Sequence, residues 1–80
     1  MKIMFYGRLV DSIGHEVDLE AEPGVSVAEL RQLLAARHPL AASTLGNRRS
    51  VACVSGCLVG EDYLIGQADC VEFLPPVSGG

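Results

Sequence analysis

The chain has 80 residues, which is enough for one small domain and too few for a second. Hydrophobic residues make up 49% of the sequence and charged residues 20%, a composition typical of a folded domain that excludes a disordered one. The net charge of −4 argues against nucleic acid and against an anionic membrane as the main partner, because both require a basic face.

Cysteine usage and the absence of targeting motifs favour a cytoplasmic location. No apolar run is long enough to span a bilayer, and the N-terminus lacks the pattern of a signal peptide. Cys53, Cys57 and Cys70 are an odd number, so they cannot form a complete set of disulfides. Their spacing, with His15 and His38 as the only histidines, does not predict a metal site. We expect the cysteines to be small buried residues in strands.

The first part of the sequence predicts a β-hairpin. Residues 2–10 alternate in the manner of a strand, and both of its faces carry apolar side chains. Residues 11–14 are predicted to form the turn. Residues 15–20 alternate apolar and acidic side chains, which is typical of a half-buried second strand.

A helix is predicted after the break at Pro23-Gly24. Ser26 and Glu29 have the spacing of a capping box, in which each side chain bonds the backbone amide of the other residue. Pro39 ends the helix, because the residue before a proline avoids helical geometry. The apolar stripe of the helix comprises Val27, Leu30, Leu33 and Leu34, and the polar face and last turn contain Arg31 and Arg37.

The remaining sequence predicts three more strands. Residues 51–54 are apolar enough for a central strand, residues 57–59 form a short strand after a tight turn, and residues 70–74 form the last strand. The order of elements predicts an α+β domain over residues 1–74. In this domain one main helix lies across one face of a mixed sheet of four to five strands.

Residues 75–80 differ from the rest of the chain. Pro75 and Pro76 cannot donate hydrogen bonds to a sheet, so strand pairing should stop before them. Gly79 and Gly80 have no side chain, which lets the backbone pass through a slot too narrow for any other residue. We expect a flexible tail, roughly 20 Å long when extended, that ends in a carboxylate and can enter the active site of another protein.

Motifs for catalysis within the domain are absent from the sequence. It contains no glycine-rich phosphate loop, and no serine or cysteine has an obvious histidine base. We therefore interpret the domain as a scaffold that binds no cofactor of its own. The chemistry is expected at the tail.

The end of the chain, Phe73-Leu74-Pro75-Pro76-Val77-Ser78-Gly79-Gly80, resembles the C-terminal signature of the small subunits of molybdopterin synthase, a family of ubiquitin-like sulfur carriers. The resemblance extends over essentially the whole chain, and the chain departs from the usual family pattern at Ser55 and Ala68. It implies a β-grasp fold, which agrees with the order of elements predicted above.

The resemblance implies a cycle of reactions at Gly80. An ATP-dependent adenylyltransferase similar to ubiquitin-activating enzymes adenylates the Gly80 carboxylate, and a sulfur donor converts it to a thiocarboxylate. The tail then enters the large catalytic subunit of molybdopterin synthase, in a heterotetramer, and the sulfur passes to the pterin precursor. This chain would carry the reacting group, while its partners would supply the ATP and the catalytic residues.

A docking surface is expected beside the tail. Tyr6 and Leu74 lie opposite the core-facing positions of the first and last strands, and Leu58 joins them if its strand has the expected register. Arg48 and Arg49 would lie on the rim and mainly affect the association rate. The complete set of expected site residues is Gly80 and Gly79 for the chemistry, and Tyr6, Leu58, Leu74, Pro75, Pro76, Val77 and Ser78 for partner binding.

Other functions remain open from the sequence. The chain could carry sulfur for thiamine or cysteine biosynthesis, or it could be a ubiquitin-like modifier whose Gly80 is joined to a lysine of a target. A non-catalytic interaction domain is a third alternative. The Pro-Pro-Val-Ser-Gly-Gly end favours the molybdopterin pathway.

Overall fold

The computed structural model describes residues 1–46 and 49–76 of the chain. These residues form a five-stranded sheet, a two-stranded sheet and helical segments packed on one side. The strands are β1 (Lys2–Phe5), β2 (Glu16–Asp18), β3 (Val25–Ser26), β4 (Val51–Val54), β5 (Cys57–Val59), β6 (Leu64–Ile65) and β7 (Val71–Leu74). The helices are α1 (Leu9–Ile13) and α2 (Val27–Arg37), and a 3₁₀ turn covers Pro39–Ala41.

The larger sheet has the strand order β2-β1-β7-β4-β5. Strands β1 and β7 pair in parallel, with Phe5 opposite Phe73, and the other neighbours pair antiparallel. The predicted mixed sheet is therefore confirmed, and β4 lies inside it as expected. Because β1 and β7 run in the same direction, the chain leaves β7 beside the end of β1.

The hydrophobic core lies between the larger sheet and α2. Strand residues alternate, so every second side chain of the central strands points into this core. The rings of Phe5 and Phe73 stack there with centroids 5.9 Å apart. The buried side chains of the sheet are Ile3, Phe5, Ala52, Val54, Val71 and Phe73, and those of α2 include Val27, Leu30 and Leu34.

The connection between the first two strands differs from the predicted turn. Strand β1 ends at Phe5, and the chain turns at Gly7, which has a φ of +68°. Helix α1 follows where the sequence predicted first a strand and then a turn. Its Leu9 is buried in the core, and this burial outweighs the weak strand pattern of residues 2–10. The antiparallel pairing of β1 with β2 was predicted correctly.

Both ends of α2 agree with the prediction from sequence. The Ser26 hydroxyl accepts a hydrogen bond from the Glu29 amide, and the Glu29 carboxylate accepts one from the Ser26 amide, both at 3.1 Å. This capping box satisfies two of the amides that have no partner within the helix. The helix ends at Arg37, two residues before Pro39.

The predicted apolar stripe of α2 is wrong at one position. Leu33 is 42% exposed, whereas Arg31, which we placed on the polar face, is only 7% exposed. The residues that face the core are Val27, Leu30, Arg31 and Leu34, which follow the i, i+3, i+4, i+7 spacing of one helix face. Position 31 therefore lies on the buried face despite its charge.

The buried Arg31 side chain connects α2 to three other segments. Its Nε lies 2.9 Å and 3.1 Å from the two carboxylate oxygens of Glu61. Its Nη1 donates to the Ser50 hydroxyl at 2.6 Å and to the Leu45 carbonyl, and its Nη2 donates to the Ser50 carbonyl at 3.0 Å. The guanidinium carbon also lies 5.1 Å from the centre of the Phe73 ring. These bonds satisfy a cation that would otherwise be costly to bury.

We predict that Arg31→Met lowers the free energy of unfolding by about 3 kcal/mol, because it leaves Glu61 and the Ser50 and Leu45 oxygens without their donor. Urea unfolding followed by circular dichroism measures this change. The matched control is Arg37→Met in the last turn of the same helix, which should cost less than about 1 kcal/mol. Equal losses in the two variants would contradict a stabilising role for the buried contacts.

Candidate functional site

The face of the larger sheet that points away from α2 carries a continuous set of side chains. Directly paired strand residues project to the same side of a sheet. The register therefore forms one row from Met4, Glu72, Cys53 and Leu58, which Glu16 continues at the β2 edge, and a second row that includes Leu74 and Val51. With Tyr6, which bonds Glu72, the outer face comprises Met4, Tyr6, Val51, Cys53, Leu58, Glu72 and Leu74.

Three of the expected partner-binding residues lie together on this outer face. Leu58 is 59% exposed and Tyr6 38% exposed, while Leu74 is half-buried. Leu58 pairs with Cys53, which is the register expected from the sequence. The outer face thus contains large apolar side chains that α2 does not cover, a feature typical of surfaces that bind partners.

Glu72 on the outer face was not singled out from the sequence. The Tyr6 hydroxyl donates to its Oε2 at 2.7 Å, which links the end of β1 to β7. This hydrogen bond is the main cause of a raised pKa for the Tyr6 phenol. Partial removal of water and the negative charge of Glu72 act in the same direction. Only the parallel pairing of β1 with β7 brings the two residues together, so sequence alone gave no signal for the contact.

We predict that Glu72→Gln lowers the pKa of Tyr6 toward the ordinary tyrosine value of about 10, because the negative acceptor is lost. Absorbance of tyrosinate during an alkaline titration measures the change, and a Tyr63→Phe background isolates Tyr6. Because the pKa of Tyr6 is raised in the folded state, this group stabilises the fold at pH values below the ordinary tyrosine pKa. The contribution is lost as the pH rises through the pKa of the folded state. An unchanged Tyr6 titration in the glutamine variant would show that the bond does not persist in solution.

The exit of the tail is defined by the packing of the Pro75 ring against Gly7. A Cβ atom at Gly7 would lie only 2.7 Å from Cγ of Pro75, so the proline ring packs where a side chain at position 7 would project. The φ of +68° at Gly7 independently favours glycine. Pro75 and Pro76 themselves are exposed. The tail therefore leaves the sheet at one defined place, beside Tyr6.

A hollow of about 340 Å³ lies next to this exit. Its lining includes Pro75 and Pro76, Thr44, and the exposed residues Arg8 and Arg49. Two cations thus flank the start of the tail on a chain whose net charge is −4. Arg49 was expected on the rim of the docking surface, whereas Arg8 was missed because it lies in the segment that we predicted as a strand.

Several expected site residues fall outside the part of the chain that the structure describes. These residues are Arg48, Val77, Ser78, Gly79 and Gly80. Their roles stay predictions from the sequence.

The cysteines only partly match the expectation of buried strand residues. Cys53 is buried within β4, but Cys57 and Cys70 are exposed. Cys57 begins the edge strand β5, and Cys70 precedes β7, so neither is covered by a neighbouring strand or helix.

Within residues 1–46 and 49–76, His, Cys, Asp and Glu side chains form no group of three or more that could hold a metal ion. No helix of these same ranges is long and apolar enough to cross a membrane.

Comparison with known proteins assigns the chain to a family. The sequence matches the model of the ThiS family over residues 3–80, which is nearly its full length. The chain belongs to the ThiS family. This ThiS-family chain is 31% identical over 80 residues to the molybdopterin synthase sulfur carrier subunit of Escherichia coli, with 100% of this chain and 99% of the relative covered. The resemblance read from the sequence is confirmed.

Solved structures of similar proteins support the fold of this ThiS-family chain. Small archaeal modifier protein 1 of Haloferax volcanii has a TM-score of 0.80 at 17% identity, with 95% of both chains covered. The complex of subunits 1 and 2 of the molybdopterin-converting factor from Helicobacter pylori matches with a TM-score of 0.67 at 21% identity, covering 99% of this chain and 96% of that one. The predicted ubiquitin-like β-grasp fold is therefore confirmed.

Proposed function

We propose that this chain is the sulfur carrier subunit of a molybdopterin synthase. The observation that carries the proposal is the tail, which ends in Pro-Pro-Val-Ser-Gly-Gly and starts from the sheet at the edge of the outer face. Full-length similarity to the E. coli sulfur carrier subunit supports it. The H. pylori complex supports a second subunit of this factor as the partner.

The proposed reactions take place at the terminal carboxylate of Gly80. An adenylyltransferase transfers AMP from ATP to a carboxylate oxygen, and pyrophosphate leaves. A free carboxylate is a poor electrophile, but its mixed anhydride with AMP has a good leaving group, so a sulfur nucleophile displaces AMP and leaves a thiocarboxylate. In the large subunit the sulfur then passes to the pterin precursor, the C–S bond at Gly80 breaks, and water restores the Gly80 carboxylate.

The domain itself positions the tail and binds its partners. The outer face supplies exposed apolar area beside the tail exit, and Pro75 is held against Gly7. Docking through this face would direct the following residues into the partner, where the acid, the base and the substrate pocket lie. Arg8 and Arg49 at the exit would attract an acidic rim and raise the association rate.

We predict that adding one residue after Gly80 abolishes thiocarboxylate formation without changing the fold, because exposed chain ends tolerate additions. Gly79→Ala should reduce activation nearly as strongly, through steric conflict in the partner. Incubation with the adenylyltransferase, ATP and a sulfur donor, followed by mass spectrometry of the C-terminal peptide, measures the product. Sequencing that peptide places the added mass on Gly80, and Met1 and Met4, whose oxidation adds a similar mass, lie outside it. Sulfur on an untrimmed extended chain would disprove the proposed site.

Binding to the large subunit should depend on the apolar residues of the outer face. We predict that Tyr6→Asp and Leu74→Asp each weaken binding by about 2 kcal/mol, because each replaces an apolar contact by a charge. Titration calorimetry measures the affinity, with circular dichroism to check the fold. Leu40→Asp is the matched control, since Leu40 is 87% exposed and lies away from the outer face on the 3₁₀ turn. Affinities that do not differ between the control and the outer-face variants would place the docking surface elsewhere.

A ubiquitin-like protein modifier is the second candidate. The structural likeness to small archaeal modifier protein 1 favours it, and both functions begin with adenylation of Gly80. The distinguishing product is an isopeptide bond between Gly80 and a lysine of a target protein. Sulfur delivery for thiamine or cysteine biosynthesis would instead give the thiocarboxylate without transfer to a pterin.

A further inference from the structure

Glu72 lies among apolar residues of the outer face, while the charged residues Lys2, Glu16 and Asp18 project to the same side of the sheet at its β2 edge. In the register, Met4 of β1 and Cys53 of β4 flank it on either side, and Leu58 extends the same row. Leu74 lies two residues further along β7 on the same face. The Glu72 side chain is already half-buried before any partner binds. A carboxylate at this place is the residue most affected by loss of water when the outer face is covered.

The hydrogen-bonding capacity of Glu72 is only partly used. Tyr6 donates to Oε2, and the ion pairs within residues 1–46 and 49–76 join other groups, Met1 with Asp18, Lys2 with Glu16 and Arg31 with Glu61. An ionised carboxylate can accept about four hydrogen bonds. Water supplies the rest while the outer face is exposed, but a docked apolar surface removes that water. An ionised carboxylate left without a partner would then oppose binding.

We infer that the protein docking on the outer face carries an arginine or lysine directly opposite Glu72. This inference rests on the proposed function, because it assumes that the outer face binds the large subunit. A cation satisfies both requirements of the covered carboxylate, since it donates hydrogen bonds and compensates the charge. The Tyr6 hydroxyl holds Glu72 in place by bonding one of its oxygens, which leaves the other oxygen for the partner.

The arrangement would make Glu72 a specificity-determining residue. A partner with an apolar surface but no cation at this position would bury an uncompensated charge and bind poorly. A matching partner gains a charge-assisted bond at the centre of the interface. The arginines at the tail exit differ in kind, because exposed rim charges mainly change the association rate and are screened by salt.

The test compares Glu72→Gln with Glu16→Gln in titrations against the large subunit. Glu16 is a suitable control because it pairs with Met4 in the same row but is exposed on the edge strand β2. Its Oε2 lies 3.6 Å from Nζ of Lys2. We expect Glu72→Gln to raise the dissociation constant about 30-fold at both low and high salt, because the buried pair is poorly screened. Glu16→Gln should change it by less than about threefold.

A further variant separates the charge of Glu72 from its bond to Tyr6. Tyr6→Phe keeps the ring and the carboxylate and removes only the hydroxyl, so it should weaken binding by no more than about fivefold.

Glu72→Lys should nearly abolish binding, and changing the opposing cation of the large subunit to glutamate should restore it. A scan of the arginines and lysines of the large subunit identifies that residue.

The result that would overturn the inference is an affinity of Glu72→Gln equal to or tighter than that of the unmodified chain, while Leu74→Asp still binds weakly. That combination leaves the docking face in place and shows that no cation opposes Glu72. A different combination, in which neither Leu74→Asp nor Glu72→Gln changes the affinity, overturns the docking surface itself. Thiocarboxylate formation on Gly80 is measured independently of both results.

Discussion

The parallel pairing of β1 with β7 is the contact on which the rest of the structure depends. On one side of this pair, Phe5 and Phe73 stack and form the middle of the hydrophobic core. On the other side, Tyr6 bonds Glu72 and the outer face is assembled. At its end, the pair places Gly7 against Pro75, where the tail leaves the sheet. A single pairing of the first and last strands therefore determines the core, the candidate docking surface and the tail exit.

Local sequence signals predicted the elements whose formation depends on nearby residues. The capping box of Ser26 and Glu29 and the proline that follows α2 are local, and both were predicted correctly. Arg31 was assigned to the wrong surface because its burial depends on Glu61, Ser50 and the Leu45 carbonyl, which are distant in sequence. No periodicity reveals that these partners converge, and without them a cation on the buried face would be unfavourable.

The same distinction applies to the candidate site. Alternation along β1 and β7 was enough to place Tyr6 and Leu74 opposite the core, because side-chain direction in a strand is a local property. The contact of Tyr6 with Glu72 and that of Gly7 with Pro75 required the register between two strands at opposite ends of the sequence. Helix α1 was missed for a related reason, since the buried position of Leu9 exists only once the sheet has formed.

The register of β7 also sets the position at which the chain leaves the sheet. A slip of two residues would keep every side chain on its proper face, yet it would shift Pro75 by about 7 Å along the strand direction. A displacement much smaller than this already misaligns reacting groups and lowers the reaction rate. Gly7 lacks a side chain at the place where the Pro75 ring packs, so this contact favours the observed register over a slipped one. The length of chain available beyond the sheet is therefore set by strand pairing as well as by the number of residues in the tail.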